Sequence, residues 1–127
     1  MNPLRLRVHP GLYAACRLPA AEPLPIWLPE EPFVSLTRTP DELSVICAEE
    51  SVPADVTAER GLKLIRFEGP FAFEATGILA SVAGPLAEAG IPVLAVSTYD
   101  TDYVLVKAER IAEAVRVLRR EGHEVTG

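Results

Sequence analysis

The sequence predicts an α+β fold: an antiparallel sheet with two helices on one face, preceded by a shorter strand-rich half. Three observations carry this expectation. From Leu62 onward the hydropathy pattern runs strand, helix, strand, strand, helix, strand. The polar hexapeptide Ser97-Thr98-Tyr99-Asp100-Thr101-Asp102 separates two apolar runs, Ile91 to Val96 and Tyr103 to Val106, and two buried strands joined by a few polar residues read as a hairpin. In the two helical segments the apolar residues recur at three-and-four spacing, which gives each helix one apolar face.

Leu4-Arg5-Leu6-Arg7-Val8 alternates and reads as a half-exposed strand. His9-Pro10-Gly11 is a turn, and Leu12 to Leu18 is a second strand. The stretch from Pro19 to Pro32 holds five prolines. Each fixes φ and removes a backbone donor, so at most one helical turn fits, around Leu24 to Leu28; Trp27 is expected to anchor it against the core, the competing reading being a ligand-stacking ring. Phe33 to Thr37 and Ser44 to Cys47 are strands. Between them Thr39-Pro40-Asp41-Glu42 carries a helix-start signature but has room only for a turn. Ala48 to Pro53 is a short helical turn, and Ala54 to Gly61 a polar connector.

Leu62 to Phe67 is a strand closed by Gly69-Pro70. Ala75 to Ala89 is a helix with Ile78, Leu79, Val82, Ala83, Leu86 and Ala87 on one face. Pro85 removes one of its backbone bonds, and Gly90 ends it. Pro92 to Ser97 and Tyr103 to Lys107 are strands. Ala108 to Glu121 is the second helix, with Ile111, Ala114, Val115 and Leu118 on one face, and His123 to Val125 is a last strand. This order folds as a four-stranded split βαβ unit, the ferredoxin-like βαββαβ arrangement. Its crossover makes the first two strands parallel, with the third between them. The end of the first strand, the start of the following helix and the hairpin therefore meet at one end of the sheet. Thr76-Gly77-Ile78 is expected to face Tyr99-Asp100-Thr101-Asp102.

Composition narrows the functional classes. The chain has 127 residues, 49% of them apolar, and a formal charge of −6. The acidic balance argues against nucleic-acid binding, which draws on Lys and Arg. No apolar run approaches the roughly 18 residues of a membrane span. No signal-peptide pattern opens the sequence, so a cytoplasmic location is expected. Cys16 and Cys47 lie in apolar strand patterns and read as buried free thiols. His9, Cys16, Cys47 and His123 lack paired metal-ligand spacing, so neither a metal nor a cofactor is expected.

An offset of sixty positions overlays Phe33–Val52 on Val93–Ala112 without a gap. Leu36-Thr37 then meets Val96-Ser97, and Glu42-Leu43 meets Asp102-Tyr103. The shared pattern is strand, polar turn, strand and acidic helix start, which makes the first half a reduced copy of the second. The halves are placed at 1–60 and 61–127.

The motifs of the second half are Glu68-Gly69-Pro70, Thr76-Gly77-Ile78-Leu79-Ala80, Pro85 through Ile91, and Ser97 through Tyr103. They resemble the ACT domain, in particular the regulatory domains of aspartokinases and the cytosolic arginine sensors of animals. Phe33 through Cys47 resembles the short leading domain of small tandem-ACT proteins. The resemblance implies a regulatory module that binds a free amino acid, commonly as a homodimer whose interface holds the ligand. An attached catalytic domain is not expected, and the resemblance names no regulated enzyme.

A free amino acid offers a carboxylate and an ammonium group. A helix start presents unpaired N–H groups that suit the carboxylate. Gly77 has no Cβ and lets a ligand approach the backbone. The N–H groups of Gly77 and Ile78, with the Thr76 hydroxyl, are the expected carboxylate site. Asp100, Asp102 and carbonyls near Ser97 and Thr98 are the expected ammonium site, and Tyr99 is placed to cover the ligand. All of these residue types also occur in ordinary turns. Glu74 either complements the helix dipole or selects a cationic side chain.

Two other readings compete. Acylphosphatases share this topology but use an Arg in the loop after the first strand. Here Gly69 to Thr76 holds no Arg or Lys, and no nucleophile has an activating partner. A non-catalytic protein is expected. The other reading is a ligand-free dimerisation or protein-docking module, because the edges of small sheets are open to pairing.

Overall fold

The computed structural model describes residues 3–127. Residues up to 10 join 63–127 in one compact unit, and residues 11–62 form the other. In chain order the strands are β1 (Arg5–Val8), β2 (Tyr13–Leu18), β3 (Ser35–Arg38), β4 (Leu43–Ala48), β5 (Ala58–Phe67), β6 (Leu94–Ser97), β7 (Asp102–Lys107) and β8 (Glu124–Thr126). The helices are α1 (Ala80–Glu88) and α2 (Ile111–Arg120).

In the larger unit the strand order is β6-β7-β5-β1-β8. The third strand of the split βαβ pattern, β7, lies between β5 and β6, as the sequence predicts. The four-stranded expectation needs one correction, because β1 inserts between β5 and β8. It runs antiparallel to β5, with Leu6 opposite Phe67, and parallel to β8, with Leu6 opposite Val125. Strict alternation in β1 fixes this register: Leu6 and Val8 are buried while Arg5 and Arg7 are exposed. β1 thus groups with residues 63–127 rather than with residues 11–62. Leu6, Val8, Ile65, Phe67, Val104, Val106 and Val125 meet the helices in one core with Val82, Leu86, Ala114, Val117 and Leu118.

The first helix starts later than its hydropathy suggests. A turn closes from the Ala75 N–H to the Ala72 carbonyl, Gly77 takes a positive φ of 76°, and the first helical bond runs from Ser81 N–H to Gly77 O. Thr76-Gly77-Ile78 is thus the turn that leads into α1 rather than its first turn. The second helix likewise opens with a separate 3-10 turn at Ala108–Arg110. Both helices end in the same device. Ile91 N–H reaches Leu86 O and Gly90 N–H reaches Ala87 O, while His123 and Gly122 do the same with Leu118 and Arg119. These are Schellman closures, with a left-handed glycine at each.

Pro85 explains a second feature of α1. Proline has no N–H, so the Ser81 carbonyl four residues earlier has no helical donor. The ring of His123 takes that place: Nε2 lies 3.1 Å from Ser81 O, and Nδ1 accepts the Leu4 N–H at 3.0 Å. A ring that accepts at Nδ1 and donates at Nε2 is the neutral tautomer. His123, expected only as part of a last strand, is a buried strut linking α1 to the residue before β1.

His9 extends the β1 ladder through its N–H to Leu64 O. Its Nε2 is buried without a partner. Desolvation, followed by the charges of Arg7, Arg66 and Lys63 and opposed by Glu68, holds its pKa below 6.5. The unfolded chain therefore binds a proton more readily than the folded one. Stability from this site is complete above pH 6.5 and is lost as pH falls through 6.5 toward the folded-state pKa. Urea midpoints at pH 7.5 and 5.5 are expected to differ less in His9→Gln than in the native chain.

The smaller unit pairs β3-β4-β2 with the first part of β5. The polar connector expected up to Gly61 is shorter, because Ala58 and Glu59 already pair with Cys16 and Ala15; polar residues on a half-exposed strand leave little apolar signal. Trp27 and Leu28 pack onto a core of Ala14, Cys16, Leu43, Val45, Cys47 and Val52, so Trp27 does anchor its turn. Both cysteines are free and buried. Burial, with Cys16 nearby, pushes the Cys47 thiol up to about 11.

The repeat offset is also corrected by one residue. Ser35–Arg38, Leu43–Ala48 and the turn Glu49–Ser51 correspond to Leu94–Ser97, Asp102–Lys107 and Ala108–Arg110, each fifty-nine positions later. The hairpin bonds follow the same offset: Thr39 N–H to Glu42 O, and Thr98 N–H to Thr101 O. At fifty-nine, buried Val45, Ile46 and Cys47 meet buried Val104, Leu105 and Val106. At sixty, every side chain would fall on the opposite face.

Candidate ligand-binding site

Within the larger unit, the chain after β5 and the β6–β7 hairpin are tied together. In the hairpin the Thr98 N–H reaches Thr101 O at 2.8 Å, and the Thr101 N–H bonds back to Thr98 Oγ1 at 3.3 Å. Thr101 is buried, and its hydroxyl donates to Phe67 O at 2.6 Å. From the other side, the Phe71 N–H donates to Asp100 O at 2.9 Å. Gly69 permits that approach, since a Cβ there would lie 3.1 Å from Asp100 O. The polar turn is thus held in one place by the end of β5, before any ligand arrives.

Between these segments lies a pocket of about 210 Å³. Phe71, Ala72, Phe73, Ala75 and Ile78 line one side, and the residues from Ser97 to Asp102 line the other. Asp100 and Asp102 are among its lining residues, and among the described residues no Lys, Arg or His lines it. Phe73 is 84% exposed and Tyr99 87%. Two rings stand at the mouth with most of their surface in water, where a bound molecule gives them something to cover. The site combines an acidic, hydroxyl-rich wall with an apolar one.

Comparison with known proteins identifies the fold. A family model described as the ACT domain matches residues 57–120. The chain belongs to the ACT-domain family. A second model, of an N-terminal domain, matches residues 11–55. A crystal structure of a protein from Agrobacterium tumefaciens is 38% identical, with a TM-score of 0.94, over 100% of this chain and 96% of that one. The bovine protein named cytosolic arginine sensor for mTORC1 subunit 1 is 34% identical over 70% of this chain and 30% of its own length. This chain therefore spans less than a third of that relative. The regulatory subunit of aspartate kinase from Thermus thermophilus is 11% identical with a TM-score of 0.62, covering 91% and 96%, which shows a shared fold.

The ACT architecture brings six of the eight expected site residues to one pocket: Ile78, Ser97, Thr98, Tyr99, Asp100 and Asp102. Thr76 and Gly77 do not line it. Gly77 instead borders a separate depression with Ser81, Gly84, Glu88 and His123, because its left-handed φ turns the chain away just before Ile78. Glu74 is exposed, lies outside the pocket and sits six residues ahead of α1. That is too far for the helix-dipole reading, whose reach is about one turn. Phe71, Ala72, Phe73 and Ala75 line the pocket without having been expected there, and Thr101 lines it as part of the expected hairpin. The signal for the loop residues was the Phe-Ala-Phe run after Gly69-Pro70, which has neither helical nor strand periodicity.

Proposed function

We propose that this chain is a non-catalytic regulatory module that binds a free amino acid in the pocket between the 71–78 loop and the 97–102 hairpin. The observation that carries the reading is a small pocket lined by two Asp residues, two uncovered aromatic rings and, among the described residues, no cation, in an ACT-family chain. Asp102, half-buried at the start of β7, accepts from the ligand ammonium, and Ser97 and Thr98 contribute oxygens beside it. Backbone N–H groups at the entry to α1, with Ile78 as the lining residue, meet the carboxylate. Tyr99 and Phe73 close over the ligand. An acidic wall flanked by aromatic rings favours a cationic side chain, in keeping with relatives named as arginine sensors.

Residues 11–62 are proposed as a reduced ACT-like half, on the strength of the shared hairpin. The module works as a homodimer in the cytoplasm, with a regulated enzyme as its output. A second reading, a dimerisation or docking module without ligand, draws on β6. This short strand pairs with β7 alone among the described residues, and Leu94 is 39% exposed. An uncharged open edge invites pairing.

Calorimetric titration of dialysed protein with arginine, lysine, leucine and aspartate separates the two. One of the basic amino acids is expected to bind, and Asp102→Asn to weaken it by about 10- to 100-fold, the worth of one charge-assisted bond. Heat from none of the four, in protein that still dimerises, supports the ligand-free reading.

A further inference from the structure

The larger unit carries a second concavity at the flank of α2, away from the amino-acid pocket in residue content. It has a volume of about 480 Å³. Val8, Ile111, Ala112, Val115 and Val125 supply an apolar floor. Every charged side chain that lines it is a cation: Lys63, Arg116 and Arg119. In a chain of net charge −6, that is a local reversal of sign. Arg116 and Arg119 are exposed, and the Arg119 guanidinium is steadied by a 2.8 Å bond to Val125 O.

The smaller unit holds a segment of the opposite character. Glu22-Pro23-Leu24-Pro25-Ile26-Trp27-Leu28-Pro29-Glu30-Glu31-Pro32 contains three carboxylates and no cation. Ile26 is 103% exposed and Leu24 57%. This segment is presented rather than loose. Trp27 and Leu28 pack onto the core of their own unit, the Leu28 N–H closes a turn on Pro25 O, and the prolines restrict φ. Anchored on one side, it holds Ile26 outward at little further ordering cost on binding.

We propose that the α2 groove of one copy receives the Leu24–Glu31 segment of a second copy. Ile26, with Leu24, fills the floor over Val115 and Val125, and Glu30 and Glu31 lie along the Arg116–Arg119 rim. This contact is independent of the open edge of β6 and of the amino-acid pocket, and stands whether or not a ligand binds there.

Sedimentation equilibrium of the full chain over a concentration series tests it. Arg116→Glu and Glu30→Lys/Glu31→Lys are exposed changes that leave the core untouched. Each is expected to weaken self-association by about tenfold or more, because it sets like charges against each other. Mixing the two variants restores association, since the acidic groove of one meets the basic segment of the other. Three outcomes overturn the proposal: association unchanged in both variants, weakening without restoration in the mixture, or a native chain that stays monomeric while its groove binds a foreign acidic peptide.

Discussion

Replacing His123 by leucine is expected to cost about 2–4 kcal/mol, because it leaves the Leu4 N–H and the Ser81 carbonyl without partners at about 1–3 kcal/mol for each buried group. The volume is nearly kept, so the loss reports hydrogen bonding rather than a cavity. Pro85 makes the prediction sharper. With Pro85→Ala, residue 85 regains an N–H that can reach Ser81 O within the helix. In that background His123→Leu is expected to cost about 1 kcal/mol less, a coupling typical of groups that share a partner. Urea unfolding of the four proteins of this cycle reads it. Strict additivity would show that the imidazole does not stand in for the missing helical donor.

The second large effect belongs to Thr101. Thr101→Val keeps the branched shape but removes the hydroxyl that donates to Phe67 O. The expected loss is about 1–3 kcal/mol of stability, for a buried carbonyl left without that donor. The hairpin also loses this tether to the end of β5, while the Phe71 N–H on Asp100 O remains. Ligand affinity is expected to fall as well, although the Thr101 side chain is committed to the protein rather than to a ligand. A variant as stable as the native chain, with unchanged amino-acid binding, would show that this tether does not organise the pocket.

How much of this was legible before the structure can be judged from particular residues. Periodicity placed α2 and the β6–β7 hairpin to within a few residues, because apolar spacing is set by burial against one core. It could not show β1 between β5 and β8, since the alternation of Arg5-Leu6-Arg7-Val8 gives a face but no partner. It carried α1 through Thr76-Gly77-Ile78, where the apolar pattern continues but the positive φ of Gly77 does not. The strand–turn–strand pattern common to the two halves was visible in the residue order but off by one in register, which only backbone pairing can fix. Most of the candidate pocket followed from topology, as the end of β5 and the hairpin must meet. The Phe71–Ala75 wall did not, because a loop's course depends on long-range bonds such as that between Phe71 and Asp100.

The measurement that bears most directly on the account is thermal unfolding of the dialysed chain against each of the twenty proteinogenic amino acids. A ligand that binds only the folded state, at about a hundred times its dissociation constant, adds about 2.7 kcal/mol. In a chain of this length that raises Tm by roughly 10 °C. A selective rise is expected, largest for a basic amino acid and lost in Asp102→Ala. No rise with any of the twenty at millimolar concentration would contradict it.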